Sequence, residues 1–128
     1  MDGKFAEPLL TIGDREELST ALSNVLDNAV KYSPGEPRIR VEVVTPDLEH
    51  IRICVRDNGV GISRGELKQI FKRFYRAMAS PVQQVKGSGL GLFIVRSIAQ
   101  HHGGRAFAES EGAGKGATIT IELPRHVA

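Results

Sequence analysis

The chain of 128 residues lacks most features that mark a secreted, membrane-embedded or nucleic-acid-binding protein. Its single cysteine, Cys54, rules out an internal disulfide and fits a reducing compartment. No apolar run approaches the roughly 20 residues needed to span a bilayer, and residues 1–10 lack the basic start and apolar core of a signal peptide. The 17 basic and 15 acidic side chains nearly balance, which gives no reason to expect nucleic acid as a partner. We therefore expect a cytoplasmic globular domain.

Glycine, in contrast, is abundant: the chain has 14, and two clusters of them stand beside apolar segments. The first cluster is Asp57-Asn58-Gly59-Val60-Gly61-Ile62, and the second is Gly87-Ser88-Gly89-Leu90-Gly91-Leu92. Glycine is favoured where the backbone needs unusual torsions or must approach a ligand closely. One cluster begins with a carboxylate and the other opens a predicted helix, so together they suggest a nucleotide held at both ends.

The spacing of apolar residues predicts the secondary structure. Helices are expected at residues 14–32, 63–71 and 90–102, and strands at 9–12, 38–46, 50–57, 105–111 and 117–123. Asp14 with Glu17, and Ser63 with Glu66, form the capping-box pattern at two helix starts. Alternating apolar and polar residues in the strands predict a mixed, mostly antiparallel sheet with helices on one face. The expected fold is a single α+β domain over residues 1–128, a two-layer α/β sandwich of about five strands and about three helices.

Two familiar phosphate-binding patterns do not fit. Gly112-Ala113-Gly114-Lys115-Gly116 resembles a P-loop, but Gly116 stands where that motif needs a hydroxyl, and a strand follows instead of a helix. The spacing of Gly87, Gly89 and Gly91 does not match the dinucleotide fingerprint either. A nucleotide must therefore be bound by another arrangement.

The residues around the first glycine cluster suit a purine base. Asp57, at the end of a predicted strand, can accept a hydrogen bond from an exocyclic amine, which adenine offers where guanine does not. Gly59 and Gly61 keep side chains away, so a flat base can lie against the backbone. This half of the pattern therefore indicates adenine.

The first long helix and the second glycine cluster suit the phosphates. Asn24, Asn28 and Lys31 fall on one stripe of the helix, although asparagine is a poor residue for a helix interior. Asn28 offers a neutral amide oxygen for a phosphate-bound Mg²⁺ that keeps its waters. Residues 87–91 open a helix whose free N–H groups and dipole favour anions. The basic side chains that can offset phosphate charge are Lys31, Arg73, Arg76 and Lys86.

In this order, the motifs resemble those of the ATP-binding catalytic domain of sensor histidine kinases, in the superfamily that also contains gyrase, Hsp90 and MutL. An asparagine box, a first glycine box, a phenylalanine box and a second glycine box carry the resemblance, at residues 24–32, 57–61, 71–76 and 87–92. A glycine–threonine feature at residues 114–118 also fits. The resemblance implies the Bergerat-type ATP-binding fold over nearly the whole chain.

The resemblance also implies roles for matching residues. Asp57 is expected to bind the adenine amine and Asn28 to bind Mg²⁺, while residues 62–88 form a lid over ATP that Phe71 and Phe74 anchor. The residues expected to act in catalysis are Asn24, Lys31, Arg73 and Arg76. Those expected to contact the nucleotide are Asn24, Asn28, Lys31, Tyr32, Asp57, Gly59, Gly61, Ile62, Phe74, Lys86, Gly87, Ser88, Gly89, Leu90, Gly91, Leu92 and Thr118.

The activity that the resemblance implies is transfer of the ATP γ-phosphate to a histidine on a dimerisation domain of the same parent protein. A response regulator would act downstream, and an inner-membrane sensor is one candidate for the parent. The histidines of this chain lie outside the Ser-His-Glu-Leu-Arg type of context that the family uses. We expect His101 to be partly buried and His102 to serve the end of its helix.

Two other functions stay open. A stand-alone ATPase of the gyrase or MutL type would need a glutamate at position 24 to activate water, and Asn24 cannot take a proton. A nucleotide sensor would bind ATP without transferring phosphate. Lys72 is a further departure, because family members often carry an acidic residue there, and the electrostatics of the lid are expected to differ.

Overall fold

The structure, a computed structural model, describes residues 9–33, 35–72, 91–112 and 114–126. These residues form two α-helices, α1 (Arg15–Lys31) and α2 (Gly91–His101), and four strands, β1 (Arg40–Val44), β2 (His50–Arg56), β3 (Arg105–Glu109) and β4 (Thr118–Pro124). Two 3-10 turns, Arg64–Glu66 and Gln69–Phe71, replace the helix expected at residues 63–71. Ser63 makes no capping hydrogen bond to the first of these turns. No helix within these ranges has the length and apolar character needed to cross a membrane.

The four strands form one antiparallel sheet in the order β1-β2-β4-β3. The predicted α+β sandwich with a mostly antiparallel sheet is confirmed, with one strand fewer in the described residues than expected. The expected strand at residues 9–12 is reduced to a single bridge between Leu10 and His126. The His126 N–H donates to the Leu10 carbonyl, while the preceding Arg125 N–H points to the opposite side and donates to the Glu49 carbonyl next to β2.

The helices cover one face of this sheet. The buried apolar side chains between the two layers are Ala21, Val25 and Ala29 of α1, Val95, Ile98 and Ala99 of α2, Phe71 of the second turn, and Val55, Ile119, Ile121 and Leu123 of the strands. The core residues Ile119, Ile121 and Leu123 occupy every second position of β4, as the sequence pattern predicts, although Thr120 and Glu122 between them are buried as well. The packed layer fixes the ends of β2 and α1, where the candidate site lies.

The N-terminus of α1 is held by residues from the far end of α2. The Asp14 carboxylate accepts the Glu17 N–H at 2.9 Å, as the capping-box pattern predicts. The reciprocal half is not formed, because the Asp14 N–H donates to His102 Nε2 at 2.9 Å and the Glu17 carboxylate pairs with His101 Nδ1 at 3.0 Å. His101 is exposed, so the expectation of partial burial is wrong. His102 does serve its helix end, where Nδ1 donates to the Ile98 carbonyl at 2.8 Å.

The outer face of the sheet carries a charged group centred on Glu122 of β4. The register places Glu122 between Arg52 and Arg105, whose Nε atoms lie 2.8 and 2.9 Å from its carboxylate oxygens. Both guanidinium groups also lie over the Phe107 ring, 5.4 and 4.8 Å from its centroid. Burial raises the pKa of Glu122, but the hydrogen bonds and charges of Arg105 and Arg52 outweigh this and hold the pKa below its ordinary value.

We expect Glu122→Gln to lower the free energy of unfolding by about 1–3 kcal/mol near neutral pH, because two guanidinium groups lose a charged partner. The folded-state pKa of Glu122 lies below the ordinary value of 4.5, so its contribution is complete above that value and is lost as the pH falls through the folded-state pKa. Urea unfolding of the wild type and the variant, from about pH 7 to about pH 3, measures the difference.

The matched control for this measurement is Glu42→Gln. Glu42 lies on the same outer face, in β1, and has no ion-pair partner among the described residues. Its replacement is expected to change the free energy of unfolding by less than about 0.5 kcal/mol. A Glu122→Gln effect that stayed constant across the pH range would contradict the assigned ion pairs.

Candidate functional site

Asp57 lies just after β2, and only 7% of its surface is exposed. Its backbone N–H donates to the Ala117 carbonyl at 2.9 Å, and its Oδ1 accepts the N–H groups of Gly59 and Ala117 at 2.8 and 3.2 Å. Its Oδ2 accepts no hydrogen bond from the described residues. This oxygen is not fully buried either, so a ligand can reach it. The carboxylate is thus fixed on one side and open to a ligand on the other.

The electrostatics of Asp57 also indicate a functional position. Burial raises the pKa of its carboxyl, and the hydrogen bonds from Gly59 and Ala117, which favour the ionised form, offset this only in part. Perturbed carboxyl groups cluster at functional sites, although ion pairs within a fold also produce them. Asp57 has no ion pair in the described part of the chain, so its open oxygen is available to a ligand.

The turn after β2 leaves no room for a side chain at Gly59 or at Gly61. A Cβ on Gly59 would overlap the Tyr32 carbonyl oxygen, and a Cβ on Gly61, whose φ is +76°, would overlap the Gly112 carbonyl oxygen. The Val60 N–H donates to the Tyr32 carbonyl at 3.0 Å, so the C-terminal end of α1 lies against this turn. The structure therefore brings the first glycine box and the end of the asparagine box together.

The polar stripe of α1 also reaches the start of α2. The Asn24 amide nitrogen lies 3.5 Å from the carbonyl oxygen of Gly91, the first residue of α2. Asn28, one turn further along α1, is half-buried, and its side chain makes no hydrogen bond to the described residues. Lys31 is exposed in the last turn. The first helix thus contacts the first glycine box and Gly91, one of the two described residues of the second box.

The remaining predicted residues divide into two groups. Ile62 and Leu92 pack against the hydrophobic core at the two sides of the predicted lid, and Phe71 is buried there. The predicted residues that lie outside the described ranges, together with most of the lid at residues 62–88, are Arg73, Phe74, Arg76, Lys86, Gly87, Ser88, Gly89 and Leu90.

Thr118 is not brought to Asp57. Within the sheet it pairs with Arg56 and Glu109, on the outer face opposite the core. The residue whose backbone meets the Asp57 carboxylate is Ala117, one position earlier. Because side chains alternate between faces along a strand, this register puts the Thr118 side chain on the face opposite that of Ala117. Its expected contact with the nucleotide stays a prediction.

Sequence reasoning missed Ala117 and Ser110. Ala117 holds the Asp57 carboxylate through its backbone, which its side chain cannot reveal. The Ser110 hydroxyl accepts the Ile62 N–H at 3.0 Å, 48 positions away in the chain. The available signal was the glycine segment at residues 112–116, which does not fit a P-loop and overlaps the glycine–threonine feature at residues 114–118.

Asn28 could hold Mg²⁺, because its neutral amide oxygen has no partner among the described residues and suits a hard cation that keeps its waters. A second group, formed by Glu17, His101 and His102, has ligand atoms within 4.8 Å of one another. Both ring nitrogens of His102 are already engaged by backbone groups. This group therefore joins α1 to α2, and it is not a candidate metal centre.

The family model described as histidine kinase-, DNA gyrase B-, and HSP90-like ATPase matches residues 13–127. The chain belongs to this ATPase family. Sensor histidine kinase WalK of Bacillus subtilis (strain 168) is 38% identical over 112 residues, 87% of this chain and 18% of WalK. Sensor protein kinase WalK of Staphylococcus haemolyticus (strain JCSC1435) is 37% identical over 123 residues, 95% of this chain and 20% of that protein. This ATPase-family chain therefore spans about a fifth of these relatives.

Solved structures place the chain within the same family. The mycobacterial sensor histidine kinase MprB has a TM-score of 0.86 and 36% identity, with 94% of this chain and 80% of that one covered. Full-length ShkA in complex with AMPPNP has a TM-score of 0.77 and 29% identity, with 94% and 24% covered. The resemblance to the catalytic domain of sensor histidine kinases, and the Bergerat-type fold that it implies, are confirmed.

Proposed function

We propose that this ATPase-family chain is the ATP-binding catalytic domain of a sensor histidine kinase and transfers the ATP γ-phosphate to a histidine on a separate domain. The observation that carries the proposal is that α1 bridges the two glycine boxes. At the C-terminal end of α1, the Tyr32 carbonyl accepts the Val60 N–H. Nearer the middle of α1, the Asn24 amide nitrogen lies against the Gly91 carbonyl oxygen. The helix therefore runs from the turn that follows Asp57 to the start of α2, and the nucleotide is proposed to bind along it.

ATP and Mg²⁺ fit the residues of this arrangement. Asp57 Oδ2 is free to accept a hydrogen bond from the adenine amine, while Gly59 and Gly61 let the turn pack directly against the backbone of Tyr32 and Gly112, which holds Asp57 in place. Asn28 is the proposed ligand for Mg²⁺, which when bound offsets the negative charge of the phosphates. The structural similarity to ShkA, which was solved with AMPPNP, supports an adenine nucleotide as the ligand.

Asn24 favours transfer over hydrolysis. Its neutral amide cannot take a proton from an attacking water, and its amide nitrogen points to the Gly91 carbonyl. Phosphoryl transfer depends mainly on positioning and charge neutralisation, which need no base in this chain when the acceptor is supplied by another domain. Lys31, Arg73 and Arg76 are the proposed cationic partners of the phosphates.

The proposed partners are a histidine-bearing dimerisation domain of the same parent protein and a response regulator downstream. The chain covers 18% and 20% of the two WalK relatives, so a parent of similar length has room for such a domain. We also propose that residues 1–128 form one cytoplasmic domain with a lid at about residues 62–88 and no nucleic-acid partner. An inner-membrane sensor is one candidate for the parent.

The decisive experiment mixes this chain with the dimerisation domain of its parent and ATP labelled on the γ-phosphate. We expect label on the acceptor domain as an acid-labile phosphohistidine, and no label when the acceptor histidine is replaced by glutamine. Steady release of inorganic phosphate without labelled protein would instead indicate a stand-alone ATPase. Binding of ATP with neither product would indicate a nucleotide sensor.

A further inference from the structure

Residues 110–112 and 114–117, between β3 and β4, lie directly against the turn that follows β2. The Gly114 N–H donates to the Val60 carbonyl at 2.7 Å, and the Gly116 N–H donates to the Gly59 carbonyl at 3.2 Å. The Asp57–Ala117 hydrogen bonds continue the same contact into the sheet. The glycine segment that does not fit a P-loop therefore forms the support for the base-recognising turn.

The Ser110 hydroxyl is the centre of this support. It accepts the N–H groups of Ile62 and Gly112, at 3.0 and 3.2 Å. The hydroxyl has one proton to donate. The Gly116 carbonyl oxygen, 2.7 Å from the hydroxyl oxygen, is a better acceptor for it than the Gly112 carbonyl oxygen at 3.3 Å. One half-buried hydroxyl thus joins the start and the end of the glycine segment to Ile62, the first residue of the proposed lid.

Two glycines allow this close contact. A Cβ on Gly116, whose φ is +71°, would overlap the Asp57 carbonyl oxygen, just as one on Gly61 would overlap that of Gly112. L side chains rarely adopt such φ values. The two segments therefore meet backbone to backbone, and the Ser110 side chain supplies the polar contact that neither backbone provides for Ile62.

We propose that Ser110 is a positioning residue of the nucleotide site. Its hydroxyl fixes the backbone of Ile62 and keeps Gly112 and Gly116 in place against the turn, so that Asp57 keeps its open oxygen directed to the base. This inference rests on the proposed function, because it assigns a task to Ser110 at that same site. A role in folding alone would instead affect the whole sheet and leave the nucleotide affinity of the folded chain unchanged.

Three variants of the full chain separate these possibilities: Ser110→Ala, Ser110→Thr, which keeps the hydroxyl, and Ser19→Ala, which removes an exposed serine on α1. Amide hydrogen exchange without nucleotide and calorimetric titration with ATP are the two readouts. In Ser110→Ala we expect the Ile62 amide to exchange about tenfold faster while core amides such as that of Val55 are unchanged, because only a local hydrogen bond is lost.

We expect the ATP affinity of Ser110→Ala to fall by about tenfold, with Ser110→Thr restoring both readouts and Ser19→Ala matching the wild type. An unchanged exchange rate at Ile62, or an affinity equal to that of Ser19→Ala, would overturn the proposal. Faster exchange throughout the sheet with unchanged affinity would also overturn it in favour of a folding role. If the wild-type chain bound no ATP, the proposed function itself would fail, and the exchange data would still decide whether Ser110 fixes Ile62.

Discussion

Replacing Asp57 by asparagine is expected to weaken ATP binding by at least about 100-fold, the largest effect of any single substitution considered. The reason lies in the two N–H groups, of Gly59 and Ala117, that already point at Oδ1. An asparagine must place its amide oxygen there, because an NH₂ group facing two N–H donors is unfavourable. Its NH₂ group then occupies the open position of Oδ2 and meets the adenine amine, donor against donor.

Calorimetric titration with ATP measures this loss, and Asp27→Asn is the matched control because Asp27 is exposed on α1. The wild type is also expected to prefer ATP to GTP, since guanine offers a carbonyl oxygen where adenine offers an amine. Asp57→Asn should reduce that preference as well as the affinity. Unchanged affinity in a variant whose thermal unfolding matches the wild type would eliminate Asp57 as the adenine ligand.

The parts of the site that the sequence predicts are those whose signals are local. The capping residue Asp14, the apolar face of α1 and the alternation of β2 each depend on neighbours within a few positions. Asp57 is recognisable because it stands at the end of an alternating segment and before two glycines. These features place α1, β2 and Asp57 along the chain without any knowledge of which strands pair.

The parts that could not be predicted depend on contacts between distant segments. Thr118 and Ala117 are neighbours, and only the pairing of β4 with β2 decides which of them meets Asp57. His102 completes the cap of α1 from 88 positions away. Ser110 acts on Ile62 across 48 positions, and no periodic pattern within either segment indicates this contact. Register and long-range polar contacts are properties of the packed chain.

Removing the side-chain amide at position 28 is the prediction with the second-largest expected effect. In the wild type, Mg²⁺ is expected to strengthen ATP binding, and Asn28→Ala should remove about 10- to 100-fold of that effect, because the phosphate-bound ion loses a protein oxygen. Asn28→Asp is expected to bind no better, since its added negative charge lies near the phosphates.

Asn28→Ala is not expected to destabilise the fold, so a loss of binding can be assigned to the site. Alanine has a higher helix propensity than asparagine, and the Asn28 side chain has no hydrogen bond among the described residues to lose, so the stability of α1 should be equal or higher in Asn28→Ala. Titration with ATP in Mg²⁺ and in a chelator, on the wild type, both variants and a Ser23→Ala control on the same helix, isolates the effect of the ion. If Asn28→Ala kept the full response to Mg²⁺, the metal would have to be held by other groups, and the polar stripe of α1 would be left with Asn24 and Lys31 as its contacts to the nucleotide.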